Sequence, residues 1–259
     1  MNAFDRLLYS ILIVSCSILL TACSSSKKDP YTDMSAEKIY SQGKAAAKKE
    51  RFAAAVKDFE ALEARYPYGD YTCKAQLALI HSYYKQEEAA SALAAADRFI
   101  RMYPNHKNVD YVYYLKGIIN YDENFSTAYK YFPIDRSLRD PTLARQAFDD
   151  FNTLLQRFPN SKYAINAKQR MIHLRNQLAN HELYIAKHYL DKKAYIAAAN
   201  RAGYIVNQFN QTEAIPNALA IMIKAYQALG MDKLANDALV TLNKNVPQYS
   251  VEDLIKKLS

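Results

Sequence analysis

Four prolines set the frame of this chain. Pro67, Pro104, Pro159 and Pro247 each close a stretch in which the same residue types recur in register. The first stretch holds Gly43, Ala55, Phe59, Leu62 and Pro67, and the second Leu79, Tyr83, Ala92, Phe99 and Pro104. The third holds Gly117, Ala147, Phe151, Leu154 and Pro159. A fourth holds Ala186, Tyr189, Ala198, Ala202 and Ile205, with Asn210 where the proline is due, and a fifth Tyr226, Gly230, Ala235, Leu242 and Pro247. Small residues let two helices approach, an aromatic fills the space between them, and the proline stops the second helix. With only 5 glycines and abundant Ala, Leu, Lys and Glu, the composition favours helix. Units that cannot bury their apolar faces alone must stack on one another.

This spacing is similar to the tetratricopeptide pattern, with Ile39 and Ala46 at its usual Trp and Tyr positions. The expected fold is therefore an all-α tetratricopeptide-repeat solenoid of about five helix pairs. The third unit is too long: between Gly117 and Ala147 it carries eighteen residues more than the first unit does between Gly43 and Ala55. The extra text, ENFSTAYKYFPIDRSLRDPTLAR, includes Asp135, Arg136, Arg139 and Asp140 between Pro133 and Pro141. Repeat insertions map to surface loops, often on a binding face. Alternating charges there can instead pair with one another and simply stiffen a solvated loop.

The N-terminus speaks to location. After Arg6, an apolar run of about fourteen residues from Leu7 to Leu20 has signal-peptide length and is short for a membrane span. Leu20-Thr21-Ala22-Cys23 resembles the bacterial lipobox, which implies cleavage before Cys23 and acylation of its thiol. Two or more acyl chains anchor a protein stably. Ser24 follows the cysteine where an aspartate is absent, an outer-membrane address in enteric-type sorting. The segment to Asp33 then reads as a solvated tether. The net charge of +8 survives loss of the leader, which removes Asp5 and Arg6. It favours acidic partners or anionic lipid over nucleic acid, a poor partner for an exported lipoprotein.

No catalytic constellation, metal site or cofactor is expected. His181-Glu182 opens like a zincin motif, but Ile185 stands where the second ligand belongs. Cys73, the only thiol left after lipidation, falls in an apolar helix pattern and reads as a small core residue. Projecting the repeat register onto the first helix of each unit nominates a peptide groove of Tyr40, Lys44, Lys74, His81, Tyr84, Tyr114 and Tyr121. Two lysines among aromatics suit a peptide that ends in an aromatic residue and a free carboxylate. The same residues also fit an ordinary amphipathic surface.

The lipobox, RYPYGDYTCKAQLALIHSYYK, AAADRFIRMYPNH, VDYVYYLKG, the insert YFPIDRSLRDP and RFPNSKYAINAKQRM together resemble the BamD family, the lipoprotein subunit of the outer-membrane β-barrel assembly machine. The insert separates this family from other envelope repeat lipoproteins, such as peptidoglycan- or Tol-associated coordinators and pilotins. The resemblance implies a signal peptide at 1–22 and a lipidated Cys23 with tether at 23–34. It further implies a substrate-binding half at 35–141, for C-terminal segments of unfolded outer-membrane proteins. A partner-docking half at 142–259 would meet the periplasmic domain of the barrel catalyst, and accessory lipoproteins would join on other faces. NRAGYIVNQF matches the surroundings of the family's docking arginine, which places that role on Arg201. Its planar fork suits a carboxylate. The location implied is the periplasmic face of the outer membrane.

Overall fold

A computed structural model describes residues 29–125 and 140–257. The leader, Cys23, Asp135, Arg136 and Arg139 lie outside the described residues. The described chain is helical throughout: α1 Ala36–Lys48, α2 Phe52–Arg65, α3 Asp70–Lys85, α4 Ala89–Met102, α5 Val109–Asn124, α6 Thr142–Arg157, α7 Ala164–Asp191, α8 Tyr195–Gln208, α9 Ile215–Ala228, α10 Asp232–Asn245 and α11 Val251–Lys257. The first ten form five antiparallel pairs in chain order. Helix α11 closes the stack, with Val251 and Leu254 buried on Leu219, Ile223 and Leu242.

The turns inside the pairs follow one rule. Glu50, Glu87, Lys193 and Gly230 all have positive φ, between 57° and 67°, at one repeat position. After each, the next amide closes back on the last helical turn: Arg51 to Ala46, Glu88 to Tyr83, Ala194 to Tyr189 and Met231 to Tyr226, at 2.9–3.0 Å. This is the Schellman closure, which satisfies carbonyls the helix end leaves orphaned. Only Gly230 adopts it without a Cβ penalty. In the third pair this turn is replaced by the insertion, which departs after Phe125.

The turns between pairs follow another rule. Tyr66, Tyr103, Phe158 and Val246 each precede a proline and leave the helix with φ of −127° to −144° and ψ of 56° to 72°. A proline disfavours the α region for the residue before it. Phe209 leaves helically folded backbone in nearly the same way although Asn210 follows. There the Thr212 hydroxyl donates to the Phe209 carbonyl at 2.7 Å and Gln211 takes a left-handed φ of 65°. Side-chain capping thus substitutes for the missing proline.

Packing explains the repeat signature. A Cβ built on Gly43 would lie 2.7 Å from the Phe59 ring, and one on Gly117 would lie 2.4 Å from the Phe151 ring. Both phenylalanines are fully buried. In the second unit the corresponding positions hold Ile80 and Ala96, so the large residue has moved to the first helix and the small one to the second. The summed volume is what the pair conserves.

The fourth pair departs from the simple pattern. Its first helix, α7, has 28 residues, about twice the length of the other first helices. No glycine or proline interrupts Ala164–Asp191. Ala167 and Leu174 on its first half and Leu183 and Ala186 on its second are all buried in the same core. The largest core therefore runs unbroken from Ile80 on α3 to Ala225 on α9.

Candidate functional site

The first helices line up beside one another: α1 touches α3, α3 touches α5, and α7 touches α9. Side chains join α5 to α7. All seven groove residues nominated by register fall on α1, α3 and α5, and six of them make ring or hydrogen-bond contacts along one strip, with Lys44 exposed beside it.

At its first end Tyr40 packs on Phe59 and Tyr71, with ring centroids 6.1 and 5.7 Å apart. Lys74 reaches over the Tyr71 ring at 5.1 Å. Lys44 and Lys74 are exposed, and neither forms an ion pair among the described residues. The Tyr71 phenol is held protonated, chiefly by its hydrogen bond to Glu37. Tyr71 was not on the register list; its place one residue after the helix start hid it.

In the middle, His81 stands edge-on between Phe52 and Tyr84, at 6.3 and 6.4 Å. Burial, with Lys85 nearby, lowers its pKa below the ordinary imidazole value. Tyr84 donates to Asp122 Oδ2 at 2.5 Å, and burial together with that bond raises its pKa. Below them opens a cavity of about 430 Å³, lined by Tyr84, Lys85, Ile119, Asp122 and Phe125. It sits where the insertion leaves α5. Lys85, whose Nζ is 5.4 Å from the Tyr84 ring, adds a cation that register reasoning missed.

At the far end Tyr114 stacks on Tyr163, 4.7 Å and 15° apart, and donates to Asn166 Oδ1 at 2.8 Å. Tyr121 lies 4.4 Å beneath the Arg170 guanidinium and 4.6 Å from Phe125. Tyr84, Tyr114 and Tyr121 are thus half-buried wall residues with their polar groups or faces already engaged. Asn166 and Arg170 in the first two turns of α7, with Tyr163 just before it, complete the wall. The five-unit register, whose fourth unit starts at Ala186, does not reach them.

Arg201, the residue on which the resemblance places docking, is also bound inward: its Nη1 donates to Glu182 Oε2 at 2.7 Å, and Arg145 Nη2 donates to Glu182 Oε1 at 3.1 Å. The Glu182 side chain is only 3% exposed, against 39% for Arg201 and 47% for Arg145. Three helices, α6, α7 and α8, are therefore clamped through one buried carboxylate. A carboxylate so deep in a helix core needs charged donors. The outer parts of both guanidiniums remain open to solvent.

Asp140 also acquires a local role. Its Oδ1 accepts from the Thr142 amide at 2.9 Å and the Thr142 hydroxyl at 2.6 Å, which holds its pKa below the usual carboxylate value. The bond to the amide two residues on is an Asx-turn that leads into α6. Cys73 is half-buried, and desolvation raises its thiol pKa, which makes it a poor nucleophile.

The model of the YfiO family of outer membrane lipoproteins matches residues 32–242. An outer membrane protein assembly factor BamD from Neisseria meningitidis serogroup A is 40% identical over 243 residues, 92% of this chain and 91% of the relative. BamD of Vibrio cholerae is 40% identical over 213 residues, 82% of this chain and 88% of the relative. BamD of Xylella fastidiosa strain 9a5c is 36% identical, covering 92% and 82%. The matched span runs over all five helix pairs, and the chain belongs to the family of the outer membrane protein assembly factor BamD.

Proposed function

We propose that this chain is an outer-membrane lipoprotein subunit of the β-barrel assembly machinery that helps recognise and insert unfolded outer-membrane proteins. Family membership over nearly the whole chain after the leader carries the reading. Cys23 holds it by lipid on the periplasmic face. The half at 35–141 engages C-terminal segments of unfolded barrel proteins. The half at 142–259 docks the periplasmic domain of the barrel catalyst, and accessory lipoproteins occupy other faces.

The strip from Tyr40 to Arg170 supports the substrate role. Lysines in no ion pair among the described residues stand at its α1–α3 end, and a cavity with aromatic walls and Lys85 at its rim lies further along. A C-terminal carboxylate can pair with Lys44 or Lys74 while side chains rest on the rings. Binding of a barrel-protein C-terminal peptide should fall on C-terminal amidation, and amidation should have no further effect once Lys44→Glu and Lys74→Glu are combined. Equal binding of acid and amide peptides to the native chain refutes the carboxylate role.

The clamp sharpens the docking proposal. Arg201 can serve the catalyst by direct contact or by fixing α8 through Glu182. Co-purification of the catalyst distinguishes them. Contact predicts loss with Arg201→Ala and retention with Glu182→Gln, which leaves the arginine in place. Retention by a folded Arg201→Glu variant rules out a docking role for this residue.

A further inference from the structure

The first described residues are not a free tether. Asp29 pairs with Arg65, the last residue of α2. The Tyr31 hydroxyl donates to buried Asp58 at 2.7 Å, and its carbonyl accepts from Arg65 Nε at 3.2 Å. The Tyr66 hydroxyl donates to the Met34 carbonyl at 2.8 Å. Asp29 is thus fastened to the corner where α2 ends. Six residue steps separate it from Cys23. Fully extended they span at most about 22 Å.

That corner belongs to one edge of the stack. Because the helices alternate, the turns α2–α3, α4–α5 and α6–α7 all lie on the edge where Asp29 is held. Ser161 Oγ donates to Asp110 Oδ2 at 2.7 Å across the second and third of these turns. Each corner exposes a large apolar side chain to at least 45%: Tyr68 at 84%, Met102 at 45% and Ile165 at 74%. Beside the last two stand Arg101, Lys107 and Lys162, exposed and in no ion pair among the described residues. The carboxylates of Asp29 and Asp110 are already engaged, and Asp33 and Asp70 sit at the first corner. The cation excess therefore lies at the second and third corners. At the fourth, residues 209–214 carry Glu213 and no cation.

We propose that this edge lies on an anionic lipid surface, with Tyr68, Met102 and Ile165 in the interfacial layer and Arg101, Lys107 and Lys162 against headgroup phosphates. Apolar tips among cations are the mark of a peripheral membrane contact. The opposite edge is also basic, at Lys48, Lys49 and Arg51. The anchor favours the first edge: α1, 13 residues long, sets the opposite one about 20 Å further away, which would use nearly all of the extended reach from Cys23. The proposal rests on lipidation at Cys23. It fixes the orientation of the solenoid: the groove helices stand upright on the membrane rather than lying along it.

The chain contains no tryptophan, so single reporters have no background. The purified mature lipoprotein is placed in vesicles containing phosphatidylglycerol, and flotation in high salt reports the anchor. Tyr68→Trp, Met102→Trp and Ile165→Trp should be quenched by brominated lipid and blue-shifted. Ile196→Trp on the opposite edge and Val240→Trp on α10, 63% and 57% exposed in the native chain, should not be. Quenching should fade as salt rises. Combining Lys107→Gln with Lys162→Gln should weaken edge contact about 25-fold, fivefold for each charge, without releasing the protein from the vesicles. Flotation with all five reporters equally water-exposed, or with Ile196→Trp quenched instead, overturns the edge assignment. Loss of flotation overturns the lipid anchor itself.

Discussion

Replacing Arg201 by alanine tests the clamp most directly. The native arginine gives Glu182 a charge-assisted hydrogen bond at 2.7 Å. Such a bond contributes about 1.5–3 kcal/mol. Solvent screens the arginine, which is 39% exposed, but hardly reaches the carboxylate at 3%. Arg145 still holds the other oxygen, so the single change should cost about 1.5–2.5 kcal/mol. In a chain of this size that lowers the midpoint of thermal unfolding by roughly 3–10 °C. Arg145→Ala should cost less, because its bond is longer at 3.1 Å and its head more exposed. The double variant leaves a buried carboxylate with no partner and should cost about 3–5 kcal/mol, beyond the sum of the singles. Adding Glu182→Gln to the double variant should return part of that loss, since a neutral amide is cheaper to bury. Differential scanning calorimetry on the five proteins reads the cycle. Strictly additive singles, or an Arg201→Ala midpoint within 1 °C of native, would refute the clamp and leave Arg201 free for docking.

Glycine positions should respond in opposite directions. Gly117→Ala drives a Cβ into the Phe151 ring and should destabilise by about 1–3 kcal/mol, whereas Gly203→Ala meets nothing closer than the Met222 methyl at 4.0 Å and should stabilise by about 0.5–1 kcal/mol in urea unfolding. Glu87→Gly should gain up to about 1 kcal/mol, because the left-handed φ of 62° no longer carries a Cβ, and a loss in the same assay would mean the Glu87 side chain matters elsewhere. His81 has a depressed pKa, so its contribution is present above the ordinary imidazole value of 6.5 and is lost as pH falls through the lower folded value. Stability should therefore decline on acidification below about pH 6.5, and His81→Gln should flatten that part of the curve.

What the sequence determined by itself was periodic. The spacing of Ala55, Ala92, Ala147, Ala198 and Ala235 against their closing residues specified five helix pairs, and the helices formed there. Pre-proline restriction acts on neighbouring residues, so Tyr66, Tyr103, Phe158 and Val246 marked their helix ends without tertiary help. Register also put Tyr40, Lys44, Lys74, His81, Tyr84, Tyr114 and Tyr121 on the first helices of their pairs. Tertiary structure decided what those residues touch. Asp122, Asn166 and Arg170 meet the tyrosines from helices far away in sequence, across separations that no local pattern encodes. The length of α7 is set by the absence of a breaker and by cores on both of its halves, which the repeat spacing does not describe. In the sequence Glu182 reads as part of an incomplete metal motif and Arg201 as a docking arginine. Only the convergence of α6, α7 and α8 made them partners, because burying a carboxylate obliges distant segments to supply its charge. The clasp of Tyr31 on Asp58 is of the same kind: a segment with tether composition becomes part of the first repeat because a buried acid needs its hydroxyl.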